Sequence, residues 1–203
     1  MKTLDEIAIH FGTDKATVHK TGSHGYTPHY DKAFESFREK PTKFLEIGVG
    51  GGESIQTWLE YFSHPRSYIY GVDLHHSTNP WNTPKATTDE RYTFCQGDQS
   101  HDVFWKCFIA DYGSDWDIVM DDGGHFSNQI ITSFNELWPK VKSGGLYCIE
   151  DLGVAYGSGS IFVSPGFPNH IDWLRHKIDQ MNSTSSDIDS IYFARELCVM
   201  RKK

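Results

Sequence analysis

Short apolar runs alternate with amphipathic segments along most of the chain. Apolar positions spaced by three and four residues predict helices over 4–11, 30–37, 54–62, 103–111, 127–141 and 171–181. Apolar runs bounded by polar residues or glycine predict strands over 44–47, 67–74, 92–96, 117–120 and 146–149, with a hairpin-like strand pair over 190–201. Strands that alternate with helices in this way are typical of an α/β fold with a parallel sheet.

The element order predicts a Rossmann-like, doubly wound and mostly parallel α/β sheet. The C-terminal strand pair is expected to be antiparallel, and residues 1–42 are expected to form an N-terminal helical segment. Residues 21–30 and 75–90 show no period and predict loops. Residues 153–169 contain four glycines and two prolines and predict a lid. We expect the 203 residues to form a single domain.

The net charge of −8 argues against nucleic acid and anionic membranes as partners, because both attract basic surfaces. A small neutral or cationic substrate fits this charge better. No apolar run is long enough to span a bilayer, and the first residues lead into no signal-peptide core, so we expect a cytoplasmic protein. Cys95, Cys107, Cys148 and Cys198 form no CxxC pair and are expected to be reduced core thiols.

A glycine-rich turn follows the first predicted strand, at the place where a nucleotide-binding loop would lie. Glycines there let the backbone approach a ligand closely. An NAD fingerprint would require glycine at position 53, which is Glu53. The spacing of Glu46, Gly48, Gly50 and Gly52 resembles instead the first motif of class I S-adenosylmethionine (SAM) methyltransferases. An ordinary strand-to-helix turn is the alternative interpretation.

Two further acids follow the second and third predicted strands. Asp73 lies 73 − 52 = 21 residues after Gly52, where a carboxylate can accept hydrogen bonds from both ribose hydroxyls of a nucleoside. Asp98 is placed to meet the amino group of adenine. Each of these side chains could instead be a solvated loop acid.

The fourth predicted strand ends in Asp121 and Asp122, and the fifth ends in Glu150 and Asp151. These strands are neighbours in a doubly wound sheet, about 4.8 Å apart, so four carboxylates come together. They would repel one another at pH 7 unless one is protonated or a cation binds. Hard oxygen ligands suit Mg²⁺, Mn²⁺ or Ca²⁺, and we expect Mg²⁺, with Mn²⁺ as the alternative.

His125 follows Asp122 by three residues, after a Gly-Gly turn. Because histidine titrates near neutral pH, it can remove a proton from a substrate hydroxyl. One histidine among eleven is usually structural or solvated, but beside a metal ion it becomes the leading candidate for a general base. The chain has no GxSxG motif, which argues against a serine hydrolase of that type.

Several segments together resemble the macrocin and mycinamicin type of macrolide-sugar O-methyltransferases, which depend on SAM and Mg²⁺. The similar segments lie at 12–15, 26–30, 45–50, 97–100, 121–125, 145–147 and 149–152, across roughly the first three quarters of the chain. The resemblance implies the strand order 3-2-1-4-5-7-6 for the sheet, and it implies that His125 is the general base. It also implies that Asp122, Glu150 and Asp151 bind the metal ion.

The same resemblance implies a SAM site. Tyr26, Thr27 and Tyr30, within the N-terminal segment 1–42, would fold over the cofactor. The other cofactor-binding residues that we expect are Glu46, Gly48, Gly50, Ser54, Asp73, Asp98, Gln99 and Asp121, with Asp121 at the methionine end.

We therefore expect a metal-dependent O-methyltransferase that methylates a hydroxyl of a small molecule, with a sugar of a glycosylated natural product as the leading acceptor. A catechol-like O-methyltransferase on the same fold and a noncatalytic SAM-binding protein are the alternatives. An NAD-dependent dehydrogenase is a more distant one. The sequence leaves the oligomeric state, including a homo-oligomer, open.

Overall fold

A computed structural model describes residues 1–74, 89–156 and 160–203. The chain divides into two compact units, Met1–Gln96 and Gly97–Lys203. The single domain expected for the whole chain stays a prediction. In the described ranges, no helix is both long and apolar enough to cross a membrane.

The first unit contains three α-helices and three strands within its described residues. The helices are α1 (Leu4–Phe11), α2 (Thr27–Phe34) and α3 (Glu53–Tyr61). The strands are β1 (Lys43–Ile47), β2 (Tyr68–Asp73) and β3 (Tyr92–Gln96). Strand β2 pairs in parallel with both β1 and β3.

Aromatic side chains form the centre of the first unit. The ring of Phe34 stacks on Tyr30 at a centroid distance of 4.9 Å and lies 6.2 Å from the ring of Phe44, and the ring of Trp58 lies 5.0 Å from that of Phe44. All four side chains are fully buried. Aromatic pairs of this kind add to the free energy gained from burying their apolar surface, so they fix α2 and α3 against β1.

The second unit contains three α-helices and four strands within its described residues. The helices are α4 (Asp102–Tyr112), α5 (Ser127–Leu137) and α6 (His170–Met181). The strands are β4 (Trp116–Asp121), β5 (Val141–Ile149), β6 (Ile188–Ala194) and β7 (Leu197–Lys202). Strands β4 and β5 are parallel, and β7 is antiparallel to both β5 and β6.

The strand order is β3-β2-β1-β4-β5-β7-β6. This order and the antiparallel β6-β7 pair confirm the predicted Rossmann-like α/β fold. In the register of β4 and β5, Asp121 lies opposite Ile149. The residues that follow these two strands are therefore neighbours, as the sequence predicted.

Two element boundaries differ from the prediction. Helix α2 begins at Thr27, inside the segment expected to be a loop, because Pro28 suits the first turn of a helix. The helix expected to reach residue 141 ends at Leu137 and gives way to a 3₁₀ turn over Trp138–Lys140, which contains Pro139. As a result β5 begins at Val141 rather than at residue 146.

The segment expected to be a lid contacts the start of α5. The amide N–H of Ser127 donates to the Phe162 carbonyl oxygen at 2.8 Å, and the Ser164 hydroxyl donates to Asn128 Oδ1 at 2.6 Å. A 3₁₀ turn over Leu152–Ala155 begins the segment. Residues 157–159 of the lid, and residues 75–88 of the loop expected over 75–90, lie outside the described residues. Closure of the lid stays a prediction.

The four cysteines differ in exposure. Cys148 and Cys198 are buried, as expected for core thiols. Cys95 is half-buried and Cys107 is exposed, so the expectation of a core thiol is wrong for Cys107. The reason is that Cys107 lies on a solvent-facing side of α4, whereas Trp105 and Phe108 face the interior.

Candidate functional site

The glycine-rich turn after β1 contains residues with a left-handed backbone and is hydrogen-bonded to the end of β2. Gly50 and Gly52 have φ values of 51° and 85°, in the region that a side chain disfavours. The Asp73 carboxylate, at the end of β2, accepts hydrogen bonds from the N–H groups of Val49 at 2.9 Å and Gly50 at 3.1 Å. A Cβ added to Gly50 would meet no described atom within 4 Å, so the described residues leave open space beside the loop.

Glu46 lies beneath this loop and is fully buried. Its carboxylate accepts a hydrogen bond from the Ser54 hydroxyl at 2.8 Å, and the Lys15 ammonium lies 3.7 Å from its Oε1. The side chain of Lys15 is also buried. Both predicted cofactor residues, Glu46 and Ser54, therefore have internal partners here, and sequence reasoning missed Lys15.

The N-terminal segment is tied to the rest of its unit by its backbone and by Asp5. The Lys15 carbonyl oxygen accepts from the N–H groups of Tyr26 at 2.8 Å and Thr27 at 3.2 Å. Asp5 accepts from the N–H of Thr17 at 2.8 Å and from the Thr27 hydroxyl. Tyr26, Thr27 and Tyr30 are all buried, so the predicted covering residues pack into the unit.

In the second unit, Asp98 and Gln99 follow β3 in the chain and have different environments. The Asp98 carboxylate is partly exposed, accepts from the Ser100 N–H at 2.8 Å and lies 3.3 Å from His101 Nδ1. Partial burial opposes ionisation of Asp98, but the Ser100 hydrogen bonds and the nearby His101 outweigh it and lower its pKa. Gln99, in contrast, is buried.

Asp121 ends β4 and is buried among polar groups. Its carboxylate accepts from the Ser133 hydroxyl at 2.5 Å, from Gln99 Nε2 at 3.0 Å and from the Gly123 N–H at 3.3 Å. Burial raises the pKa of Asp121, and the hydrogen bonds from Ser133 and Gln99 oppose that rise. The side chain predicted to face the cofactor is thus enclosed by its own unit.

Asp122, His125 and Asp151 converge beside this network. Their ligand atoms all lie within 4.8 Å of one another, and His125 Nε2 lies 3.4 Å from Asp151 Oδ2. The side chains of His125 and Asp151 are 21% and 23% exposed, so a ligand can reach them. Two carboxylates fit a hard divalent cation, and a neutral imidazole can accept a proton.

The backbone at two of these residues is strained. His125 has φ 60° and Asp151 has φ 54°, in the left-handed region that residues other than glycine rarely adopt. Such conformations cost about 1–3 kcal/mol each and are concentrated at functional sites. The strain therefore supports a functional role for the Asp122, His125 and Asp151 cluster.

Glu150, the other predicted metal ligand, is buried, and its N–H donates to the Asp121 carbonyl oxygen at 3.0 Å. Among the described residues, its carboxylate is in no group of three or more converging ligand side chains. The structure therefore brings Asp122 and Asp151 together with His125, and leaves Glu150 beside that cluster.

Sequence reasoning missed His170, at the start of α6. His170 is fully buried, and its Nδ1 lies 3.2 Å from the Ser127 hydroxyl oxygen. Burial, together with the charge of His125, lowers the pKa of His170 to about 4, so its imidazole is neutral at pH 7. No local pattern distinguishes His170 from the other ten histidines, because its partner Ser127 is 43 residues away.

Comparison with known proteins identifies similar sequences. Residues 45–152 match the family described as a methyltransferase domain. The chain is 35% identical over 187 residues to demethylmacrocin O-methyltransferase of Streptomyces fradiae, a match that covers 88% of this chain and 43% of that protein. It is 41% identical over 144 residues to mycinamicin VI 2''-O-methyltransferase of Micromonospora griseorubida, covering 67% and 33%. The chain thus spans less than half the length of these relatives.

Solved structures of a methyltransferase are also similar to this chain, over nearly its whole length. The MycE methyltransferase of the mycinamycin biosynthetic pathway, in complex with Mg and SAH, superposes with a TM-score of 0.81 at 31% sequence identity, over 99% of this chain and 55% of that one. The MycE complex with Mg, SAH and mycinamycin VI gives a TM-score of 0.82 at 30% identity, over 99% and 54%.

Proposed function

Because this chain belongs to the methyltransferase-domain family, we propose that it is a metal-dependent O-methyltransferase that transfers a methyl group from SAM to a small-molecule hydroxyl. The acceptor class that we propose is a sugar of a glycosylated natural product, since relatives that act on such sugars are similar over most of this chain. The observation that carries the proposal is the convergence of Asp122, His125 and Asp151 within 4.8 Å.

The first unit would bind SAM, whose sulfonium supplies a methyl group that is reactive toward an oxygen nucleophile. The open space beside Gly50 and the exposed part of Asp73 support this role. Asp73 would accept the ribose hydroxyls, and the backbone of Gly48 and Gly50 would lie against the cofactor. Glu46 and Ser54 would support this loop from below.

Residues from outside the glycine loop would complete the cofactor site. Tyr26, Thr27 and Tyr30 would cover the cofactor, because the hydrogen bonds of Lys15 and Asp5 hold their segment in place. Asp98 would accept a hydrogen bond from the adenine amino group. Its lowered pKa keeps it ionised and able to accept at neutral pH.

Asp122 and Asp151 would hold Mg²⁺ or Mn²⁺, with Glu150 as the third carboxylate of the set. The support is chemical: carboxylate oxygens are the ligands that these ions prefer. A bound divalent cation would polarise the acceptor hydroxyl and lower its pKa.

His125 would act as the general base. Its imidazole would accept the proton of the acceptor hydroxyl, and the Asp151 carboxylate, 3.4 Å from Nε2, would stabilise the imidazolium that forms. SAM, when bound, would supply the methyl group: its carbon–sulfur bond would break as the new carbon–oxygen bond forms, with S-adenosylhomocysteine as the second product. Alignment of the reacting groups by the protein supplies much of the rate.

Methyl transfer from labelled SAM to a panel of glycosylated macrolides and catechols tests the proposal. We expect transfer to a sugar hydroxyl, abolished by EDTA and restored by Mg²⁺. His125→Ala should lower kcat by about 10²–10⁴ while metal binding persists. Asp122→Asn should weaken metal binding by more than about 10-fold.

His176→Ala, on an exposed position of α6, is the matched control and should leave kcat unchanged. Full methyl transfer by His125→Ala or Asp122→Asn would contradict the mechanism. Activity in EDTA would contradict the metal assignment. Transfer to catechols alone would favour the catechol-like alternative, and SAM binding without any transfer would favour a noncatalytic role.

We also propose a cellular location and a class of partner for the protein. We propose a cytoplasmic enzyme that acts on small molecules and not on nucleic acid, in keeping with the net charge of −8. Sedimentation analysis would test whether it forms a homo-oligomer, and cell fractionation would test its location.

A further inference from the structure

The side-chain amide of Gln99 connects two groups on either side of the turn after β4. Its Nε2 donates to Asp121 Oδ1 at 3.0 Å, and its Oε1 accepts from the Gly124 N–H at 2.9 Å. A carboxylate only accepts and a backbone N–H only donates, so the amide has a single favourable orientation. Gln99 is buried, and its own carbonyl oxygen accepts from Trp105 Nε1 at 2.9 Å.

The space that Gln99 occupies depends on Gly123. A Cβ added to Gly123 would lie 1.7 Å from Gln99 Oε1, well inside the distance at which the two atoms could coexist. The side chain of Gln99 therefore packs directly against the turn. This turn, Gly123 and Gly124, has Asp122 immediately before it and His125 immediately after it.

The other partners of Asp121 make the same turn rigid. The Ser133 hydroxyl, on α5, donates to Asp121 Oδ2 at 2.5 Å, and the Gly123 N–H donates to Oδ1 at 3.3 Å. Since a buried polar group is costly when it loses its hydrogen bond, the network has one arrangement that satisfies all its members. His125, whose backbone is left-handed with φ 60°, comes directly after this turn.

We propose that Gln99 is a positioning residue: its amide holds the Gly123-Gly124 turn and thereby sets the placement of Asp122 and His125. This role takes the place of the cofactor contact that the sequence suggested for Gln99. The expected effect of Gln99 on metal binding rests on the proposed function, in which Asp122 is a metal ligand. The hydrogen bonds of Gln99 with Asp121 and Gly124 lie within the second unit, Gly97–Lys203.

Three measurements on Gln99→Met test the proposal. Hydrogen exchange of the Gly124 amide should become at least about 10-fold faster, because its acceptor is removed. The Kd for Mn²⁺, measured by calorimetry, should rise by about 10–100-fold, as for other residues that orient metal ligands. The Kd for S-adenosylhomocysteine should change by less than about 2-fold, since one lost cofactor hydrogen bond would cost more.

Gln99→Glu is the second variant, should Gln99→Met not fold. It keeps an oxygen that can accept from the Gly124 N–H, so Gly124 exchange should change less than in Gln99→Met, but it places a second carboxyl group against Asp121 Oδ1, so Mn²⁺ binding should weaken at least as much. Gln180→Met, on an exposed position of α6, is the matched control and should change none of the three quantities.

The proposal is overturned if Gly124 exchange is unchanged, or if Gln99→Met weakens S-adenosylhomocysteine binding as much as it weakens Mn²⁺ binding. If the unsubstituted protein binds no Mn²⁺, the proposed metal function fails, whereas faster Gly124 exchange in Gln99→Met would still support the role of Gln99 in the turn. The two failures are thus distinguishable.

Discussion

Glu46 in the first unit and Asp121 in the second occupy similar places, each at or near the end of a strand and just before a glycine-containing turn. Both are buried, with exposures of 0% and 1%. Glu46 lies beside the ammonium of Lys15, whereas Asp121 is surrounded by neutral donors from Ser133 and Gln99. Because Glu46 also accepts from the Ser54 hydroxyl, the first unit compensates its carboxylate with a charge and a dipole, whereas the second does so with neutral donors.

This difference shows that a carboxylate at a strand end need not face a ligand. Glu46 and Asp121 act inside their units, while Asp73, Asp122 and Asp151 are partly exposed. A buried charge depends on its one partner of opposite sign, so the loss of that partner is costly. Several dipoles share the same task, so the loss of one is less costly.

The turns that follow Glu46 and Asp121 also differ, in the physical reason why each contains glycine. Gly50 has a left-handed backbone with open space beside it, so glycine is required there by conformation. Gly123 is required by space, because a Cβ would collide with Gln99. The two turns thus contain glycine for different physical reasons.

The largest effect that we expect on stability comes from Lys15→Met. The substitution leaves the buried Glu46 carboxylate without its ammonium partner and should lower the free energy of unfolding by about 3–5 kcal/mol. Urea denaturation measures the change. The double variant Lys15→Met with Glu46→Gln should recover most of the loss, while Ser133→Ala, which removes one donor to Asp121, should cost clearly less. If Lys15→Met were as stable as the unsubstituted protein, the contrast between charge and dipoles would be refuted.

Gly123→Ala should have the next largest effect. The added methyl group must displace Gln99 or the turn, and we expect a loss of up to about 3 kcal/mol, typical of overpacked sites. Thermal unfolding and Mn²⁺ binding should both respond, because the turn also carries Asp122. Unchanged metal binding in a destabilised protein would separate the turn from the proposed metal site.

Gly50→Ala should cost less, about 1–2 kcal/mol, since only the left-handed backbone is penalised. Gly50→Asn is the informative comparison, because asparagine tolerates this conformation better than alanine does. Denaturation of the two variants should rank asparagine as the more stable. If both variants lost the same stability, the conformational explanation for Gly50 would be incorrect.

The effect that is smallest at pH 7 concerns His170, because it develops only as the pH falls. Its pKa is lowered from 6.5 to about 4, so between these values the unfolded chain binds a proton that the folded protein does not. Stability contributed by neutral His170 is complete above pH 6.5 and is lost as the pH falls toward 4. His170→Asn should therefore flatten the decline of Tm between pH 6.5 and 4, which differential scanning calorimetry would detect. An identical decline in both proteins would argue against a neutral buried His170.

Much of the fold and part of the site were predictable from the sequence. The strand order was predicted, and the adjacency of β4 and β5 predicted that Asp122 and Asp151 would be close. His125 was predicted by its spacing from Asp122. The start of α2 was missed, because Thr27 and Pro28 begin the helix within a polar, glycine-containing segment that has no helical period.

Local physics explains what the sequence by itself determined. Helix and strand periods and the positions of glycine turns depend on hydrogen bonds and burial patterns within short stretches of chain. The tertiary structure alone decided which carboxylates are enclosed and which remain accessible. Lys15 and Glu46 are 31 residues apart, and Gln99 and Gly124 are 25 apart, and no local pattern joins them. Only folding brings the two residues of each pair together. The groups that then contact each carboxylate decide whether it stabilises the protein or faces a ligand.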